Sequence, residues 1–167
     1  MVVTTTAVAF ILLSVGLTFC GWRFLRAFKN AGTDNKTGFL LTLFFLGFGI
    51  QNGLLGFGTL FFAQNSEVLY FILIIGHIFL TLLSILGIYT TYYIFSTKIP
   101  YRLMILLTCV LGIAAIAMTI LEHPSPFITP RNAIDWDASV SLSLILFYLL
   151  FIIFFSHIQG AAKNLCM

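Results

Sequence analysis

Charged residues are scarce in this chain. Asp, Glu, Lys and Arg make up 8 % of its 167 residues, whereas 60 % of the residues are hydrophobic. A soluble domain carries about 25 % charged residues, because its surface faces water. The composition therefore excludes a water-soluble enzyme, a nucleic-acid-binding domain and a disordered chain, and it predicts a protein that lies in a lipid bilayer.

Residues that carry chemistry are equally few, with five acids, three histidines and three cysteines. The sequence contains no GxSG serine, no HExxH motif and no pair of membrane aspartates, so it leaves an enzymatic role open and favours a non-catalytic one. Cys20, Cys109 and Cys166 have no paired spacing, which excludes a CxxC-dependent thiol oxidase and predicts free thiols. No motif identifies a family.

Five apolar stretches are long enough to cross a hydrocarbon layer of about 30 Å, which takes about 20 helical residues. In lipid, backbone amides must bond within their own segment, so each stretch is predicted to be a helix. The sequence thus predicts an all-α bundle of five transmembrane helices, forming one domain over residues 1–167. The predicted spans are residues 7–28, 39–63, 68–95, 103–121 and 138–158.

The basic residues are sorted to one side of these five spans. The other side holds only Arg131, together with four acids. Short loops rich in Lys and Arg stay cytoplasmic, so we expect the amino terminus outside, the carboxyl terminus in the cytoplasm and a multi-pass location in the plasma (inner) membrane. The basic excess therefore reflects topology, and no nucleic-acid partner is expected. The seven basic residues on the inner side are Arg23, Arg26, Lys29, Lys36, Lys98, Arg102 and Lys163.

Polar side chains within the second and third spans form a candidate site. Counted from the turn near Ser66 at about 1.5 Å per residue, His77 lies about 15 Å deep and Asn52 about 20 Å deep. The two spans are joined by a short turn, so Gln51 or Asn52 is expected near His77 and would satisfy the imidazole by hydrogen bonds.

The third span continues this pattern as a polar stripe. Tyr70, His77, Ser84 and Thr91 recur every seven residues, and Thr81 lies on the same side. The stripe is typical either of a ligand pocket or ion path, or of an ordinary helix contact made by small hydroxyls. The candidate ligand or ion site comprises Gln51, Asn52, Tyr70, His77, Thr81 and Ser84.

Small residues predict close helix packing. Gly49, Gly53 and Gly56 lie in the second span, and Gly112 and Ala115 lie in the fourth. Glycine lets backbones approach closely where lipid supplies no hydrophobic drive between helices. These faces would hold the bundle together or bind further chains; alternatively, the glycines of the second span leave room for a flat ligand or permit a kink.

The outer loop, residues 122–137, contains three prolines. Its spacing matches no metal motif, so no metal site is predicted. A docking surface for an external partner, anchored by Phe127, Ile128 and Trp136, is favoured instead. The weak candidates for divalent-metal ligands are Glu122, His123, Asp135 and Asp137.

A haem would need two strong axial ligands at one depth. His77, His123 and His157 fall at different depths, so a haem held within one chain is disfavoured and the cofactor stays unknown.

Three functions remain open. We favour a non-catalytic subunit or scaffold in a homo-oligomer or an assembly with other membrane subunits. A small-ligand or ion-handling protein, a sensor or channel built around His77, is the first alternative. An electron-transfer subunit that shares a haem with a partner is the second.

Overall fold

The computed structural model describes residues 3–31, 36–94 and 100–136. Within these residues four helices are long and apolar enough to cross a membrane. They agree with the first four predicted spans, and they make the chain a multi-pass α-helical membrane protein. The predicted fifth span, residues 138–158, lies outside the described residues. The helices are α1 (Thr5–Ala31), α2 (Lys36–Phe61), α3 (Ser66–Ile94) and α4 (Tyr101–Glu122), followed by strands β1 (Phe127–Ile128) and β2 (Ile134–Asp135).

The helices begin where side chains or proline can serve their first turns. The hydroxyl of Thr4 accepts a hydrogen bond from the Ala7 amide at 3.1 Å, and the Asn65 side chain accepts one from Val68 at 3.1 Å. Both are cap residues that supply an acceptor to an otherwise unpaired amide. Pro100, with φ −65°, precedes α4. Helical structure therefore runs a few residues beyond most ends of the apolar stretches.

The helices pack in chain order, α1 against α2, α2 against α3 and α3 against α4. The most extensive contact lies between α1 and α2, where Ser14 donates a hydrogen bond to the Gly49 carbonyl at 2.7 Å. A Cβ at Gly53 would lie 3.1 Å from the Ser14 hydroxyl, and one at Gly56 would lie 2.8 Å from Cγ1 of Ile11. These glycines of α2 are therefore used within the chain.

A second close contact joins α3 to α4. A Cβ at Gly112 would meet the side chain of Thr81. Ala115, one turn further along α4, is also buried. The small residues of the fourth span thus lie at a contact with α3.

A short hairpin closes the end of the bundle, and the sequence did not predict it. Its strands pair antiparallel. Asn132, in the turn with φ 57°, donates to the Val3 carbonyl at 2.6 Å and accepts from the Thr5 amide at 2.8 Å. The start of α1 and the segment after α4 therefore lie at the same end of the bundle.

The hairpin buries residues that were expected to face a partner. Ile134 forms a small core with Ala63 and Leu69, and Ile128 and Trp136 pack against this core. Ile128 and Trp136 are thus partly buried against their own chain, which reduces the apolar surface they could offer to an external partner; the docking surface stays a prediction. Phe127 remains 51 % exposed.

Candidate ligand cavity around His77

A cavity of about 310 Å³ lies among α1, α2, α3 and the segment that follows the hairpin. Gln51, Asn52 and His77 provide its polar wall, and no lining side chain carries a formal charge among the described residues. This volume lies at the lower end of the roughly 300–1,000 Å³ typical of small-molecule sites. The remaining lining residues are Phe10, Phe48, Leu55, Leu73, Gly76, Leu80 and Trp136.

His77 is buried and makes its side-chain contact with α4. Its Nδ1 lies 3.3 Å from the hydroxyl oxygen of Thr119, which donates to the Ala115 carbonyl at 2.8 Å. The Thr119 hydroxyl has one proton and donates it to the closer carbonyl. We therefore infer that Nδ1 carries the ring proton and donates to the Thr119 oxygen. The other nitrogen, Nε2, is then an acceptor.

The expected hydrogen bond between the imidazole and an amide of α2 is not formed in the described part of the chain. Gln51 instead donates from Nε2 to the Gly76 carbonyl at 3.1 Å, and Asn52 donates from Nδ2 to the Phe48 carbonyl at 2.8 Å. A backbone carbonyl always accepts a hydrogen bond, whereas an imidazole nitrogen accepts only when it carries no proton. The carbonyls are therefore the more readily available partners for the amides. The proximity of the amides to His77 was predicted; the bonding pattern was not.

Gln51 has one polar atom left over. Its carboxamide oxygen Oε1 is buried without a hydrogen-bond partner within residues 3–31, 36–94 and 100–136, and the residue is only 7 % exposed. The bond from Nε2 to a carbonyl assigns the amide orientation, because a carbonyl can only accept. A buried acceptor left unpaired costs about 1–3 kcal/mol, so the site contains an unused acceptor.

The polar stripe of α3 divides into parts. Tyr70, Thr81 and Ser84 do not line the cavity; Thr81 donates to the His77 carbonyl at 2.8 Å and Ser84 to the Leu80 carbonyl at 2.7 Å. Tyr70 stacks its ring on His123, with 4.2 Å between centroids. The hydroxyl groups of Thr81 and Ser84 thus donate to carbonyls of their own helix, which favours a helix contact over a continuous proton path.

The outer acidic residues form no metal centre in the described residues, where no three His, Cys, Asp or Glu side chains come together. That statement covers Glu122, His123 and Asp135. Asp137 and the third histidine, His157, lie outside the described residues. Cys20 and Cys109 are free thiols, and Cys166 also lies beyond the described part.

Sequence reasoning missed three contributors to the site. Thr119 lies on the same face of α4 as Gly112 and Ala115, and this register was a usable signal for its contact with α3. Phe10 and Trp136 line the cavity from α1 and from the segment after the hairpin. Nothing in local periodicity connects these two residues with His77, because they meet only after the chain has folded back.

Comparison with protein-family models, with curated proteins and with solved structures finds no match. The fold and the site alone define the class, a multi-pass α-helical membrane protein with a polar-walled cavity between its helices.

Proposed function

We propose that this protein binds a small, mostly apolar molecule in the cavity around His77, as a sensor or carrier of that molecule within the membrane. The observation that carries the proposal is a cavity that brings Gln51, Asn52 and His77 to one wall of otherwise apolar lining. Polar side chains at membrane depth are costly and mark functional sites when they face a cavity.

Fluorescence of Trp136 tests this function directly. The chain has two tryptophans, and Trp22→Phe leaves Trp136, on the cavity wall, as the only one. Bromocyclohexane is an apolar heavy-atom quencher that absorbs little at the excitation wavelength. In proteoliposomes we expect quenching that saturates with the amount of bromocyclohexane in the lipid, since a cavity holds a limited number of molecules.

A matched pair of variants separates the cavity from the surrounding lipid. Leu80→Phe fills the cavity, whereas Leu82→Phe makes the same change at a side chain that is 59 % exposed. The saturable quenching should disappear in Leu80→Phe and persist in Leu82→Phe. Quenching that rises linearly without saturation, or that is equal in both variants, would refute the proposed function.

We further propose five transmembrane spans, with the amino terminus outside and the carboxyl terminus in the cytoplasm of the plasma (inner) membrane. Support comes from charge: exposed Arg23, Arg26 and Arg102 lie at one end of the helices, and exposed Glu67 lies at the other. In a chain whose cysteines are replaced by serine, an impermeant maleimide should label Arg131→Cys but not Lys36→Cys in intact cells. The reverse pattern would contradict this orientation.

A role as a subunit or scaffold is a second proposal, and α1 favours it. Only 6 % of the apolar stretch of α1 is buried, against 28 % for α4, and a Cβ at Gly16 would meet nothing within 4 Å. A further copy of the chain or another membrane subunit would pack closely against α1 at Gly16. Native mass spectrometry from nanodiscs should show a complex that Gly16→Leu weakens; a strictly single chain would contradict this role.

The electron-transfer alternative needs a partner's ligand. Among the described residues, His123 stacks on Tyr70, which lies about two turns of α3 from His77, so the two imidazoles lie at different depths. An absorption spectrum of the protein purified with its partners decides it, and a spectrum without a Soret band ends the alternative.

A further inference from the structure

The polar wall of the cavity offers acceptors. The side chains of Gln51 and Asn52 each donate an amide N–H to a backbone carbonyl, so their own oxygens point away from those carbonyls. Within the described residues the Gln51 oxygen has no partner. His77, which also lines the cavity, donates through Nδ1 to Thr119, and this leaves its Nε2 as a further acceptor. A ligand that satisfies this wall must bring a donor.

The charge of the cavity lining limits which chemical group can be the donor. The described residues that line the cavity carry no formal charge. An ammonium group would enter a low-dielectric site whose described lining holds no counter-ion, which is costly, and a carboxylate has no proton to donate to the Gln51 oxygen. An ether or a ketone has no donor to offer. A neutral hydroxyl group fits both conditions.

We propose that the cavity selects a neutral, mostly hydrocarbon alcohol whose hydroxyl donates a hydrogen bond to the buried carboxamide oxygen of Gln51. The hydrocarbon part lies against Phe10, Leu73 and Leu80. This inference rests on the proposed function and adds the chemical class of the ligand. Its source, a membrane lipid with a free hydroxyl or a small alcohol that partitions from water, shares this chemistry.

The test compares two ligands that differ in one hydrogen-bond donor. The probes are 4-bromocyclohexanol and its methyl ether, measured by Trp136 quenching in Trp22→Phe and expressed per amount of probe in the lipid, which removes differences in partitioning. We expect the alcohol to bind about three- to tenfold more tightly than the ether, the range that one net hydrogen bond supplies. Equal affinities, or a preference for the ether, would overturn the inference.

Variants then assign the preference to Gln51. Gln51→Met keeps the length of the side chain and removes the acceptor, and it should bring the alcohol-to-ether ratio to about one. Gln64→Met makes the same change at an exposed position and should keep the ratio. Gln51→Asn retains the carboxamide but withdraws it by one methylene, so it should also lose the preference and serves if Gln51→Met fails to insert. A preference that survives either Gln51 change would overturn the assignment.

The two proposals fail differently. If neither probe quenches saturably, the proposed function fails. If both probes bind saturably and equally, the cavity binds apolar molecules but does not select a hydroxyl, and only this inference fails. Two competitors separate the sources of the alcohol. A hydroxyl-bearing lipid in the vesicles should displace 4-bromocyclohexanol when the natural ligand is a lipid. A small alcohol added from water, in vesicles without such a lipid, should displace it when the natural ligand partitions from water.

Discussion

Replacing Gly49 by alanine tests how closely α1 and α2 must approach. A Cβ at Gly49 would meet the hydroxyl of Thr18, and it would lie 3.1 Å from the Thr18 backbone nitrogen and 3.3 Å from the Ser14 carbonyl oxygen. Because two of these three atoms belong to the backbone, no side-chain rotation relieves the contact. The helices must separate, and the hydrogen bond from Ser14 to the Gly49 carbonyl must lengthen or break.

Gly16 supplies the matched control for contacts within one chain, because it lies in α1 and a Cβ there meets nothing within 4 Å; the comparison is made at protein concentrations where the chain is monomeric. Alanine raises helix propensity by about 1 kcal/mol at either site, so this gain cancels in the comparison. Overpacking costs about 1–3 kcal/mol and a lost interhelical hydrogen bond in a membrane about 0.6–1.7 kcal/mol. We expect Gly49→Ala to be about 2–4 kcal/mol less stable than Gly16→Ala.

Equilibrium unfolding by sodium dodecyl sulfate in mixed micelles, followed by circular dichroism and Trp136 fluorescence, measures this difference. Agreement between the two probes supports a single transition. If Gly49→Ala proves as stable as Gly16→Ala, the reasoning that α2 uses this glycine for backbone contact with α1 is refuted.

Three further predictions concern the other contacts. Gly112→Ala should be about 1–3 kcal/mol less stable than Gly16→Ala, because its Cβ collides with Thr81. Adding Thr81→Ala should recover part of the loss, and additive losses in the same unfolding assay would contradict the contact. Thr119→Val removes the acceptor for His77 Nδ1, so ¹⁵N chemical shifts of the imidazole should change from the Nδ1–H tautomer, whereas Thr119→Ser should keep it; an identical spectrum in Thr119→Val would dismiss the tautomer inferred here. Asn132→Ala loses the bond to Val3 and places alanine at positive φ, so the Thr5 amide should exchange its hydrogen faster. Asn132→Gly tolerates that φ and should show a smaller increase in the exchange rate. Equal rates in the wild type and both variants would contradict the anchoring of α1 by the hairpin.

The helical part of this fold was predictable from the sequence because lipid enforces it. A stretch such as residues 68–95 has no water to bond its amides and lacks the alternating pattern of a barrel strand, so a helix is the structure that pairs its backbone. The role of small residues was equally accessible, since Gly49 and Gly112 have few uses in apolar helices besides close contact. The hairpin at Phe127–Ile128 and Ile134–Asp135 was not, because each strand has two residues and no period to detect.

The candidate site shows the same division. Burial of His77 near Gln51 and Asn52 followed from residue spacing and a short turn, both of which are local quantities. Which atom pairs with which depended on the rotation of α2, α3 and α4 about their axes. That rotation paired the imidazole with Thr119 and the amide nitrogens with backbone carbonyls, and it left the Gln51 oxygen without a partner among the described residues.

Composition and periodicity alone predicted a bundle of apolar helices, because an unpaired backbone amide in lipid is costly and the long apolar stretches lack the alternation of barrel strands. Only the tertiary structure decided that a cavity exists and what lines it. Phe10 and Trp136 lie 67 and 59 residues from His77 in the sequence and reach it through the packing of whole helices and the docking of a hairpin. The energies of both are sums over many contacts that no local pattern records.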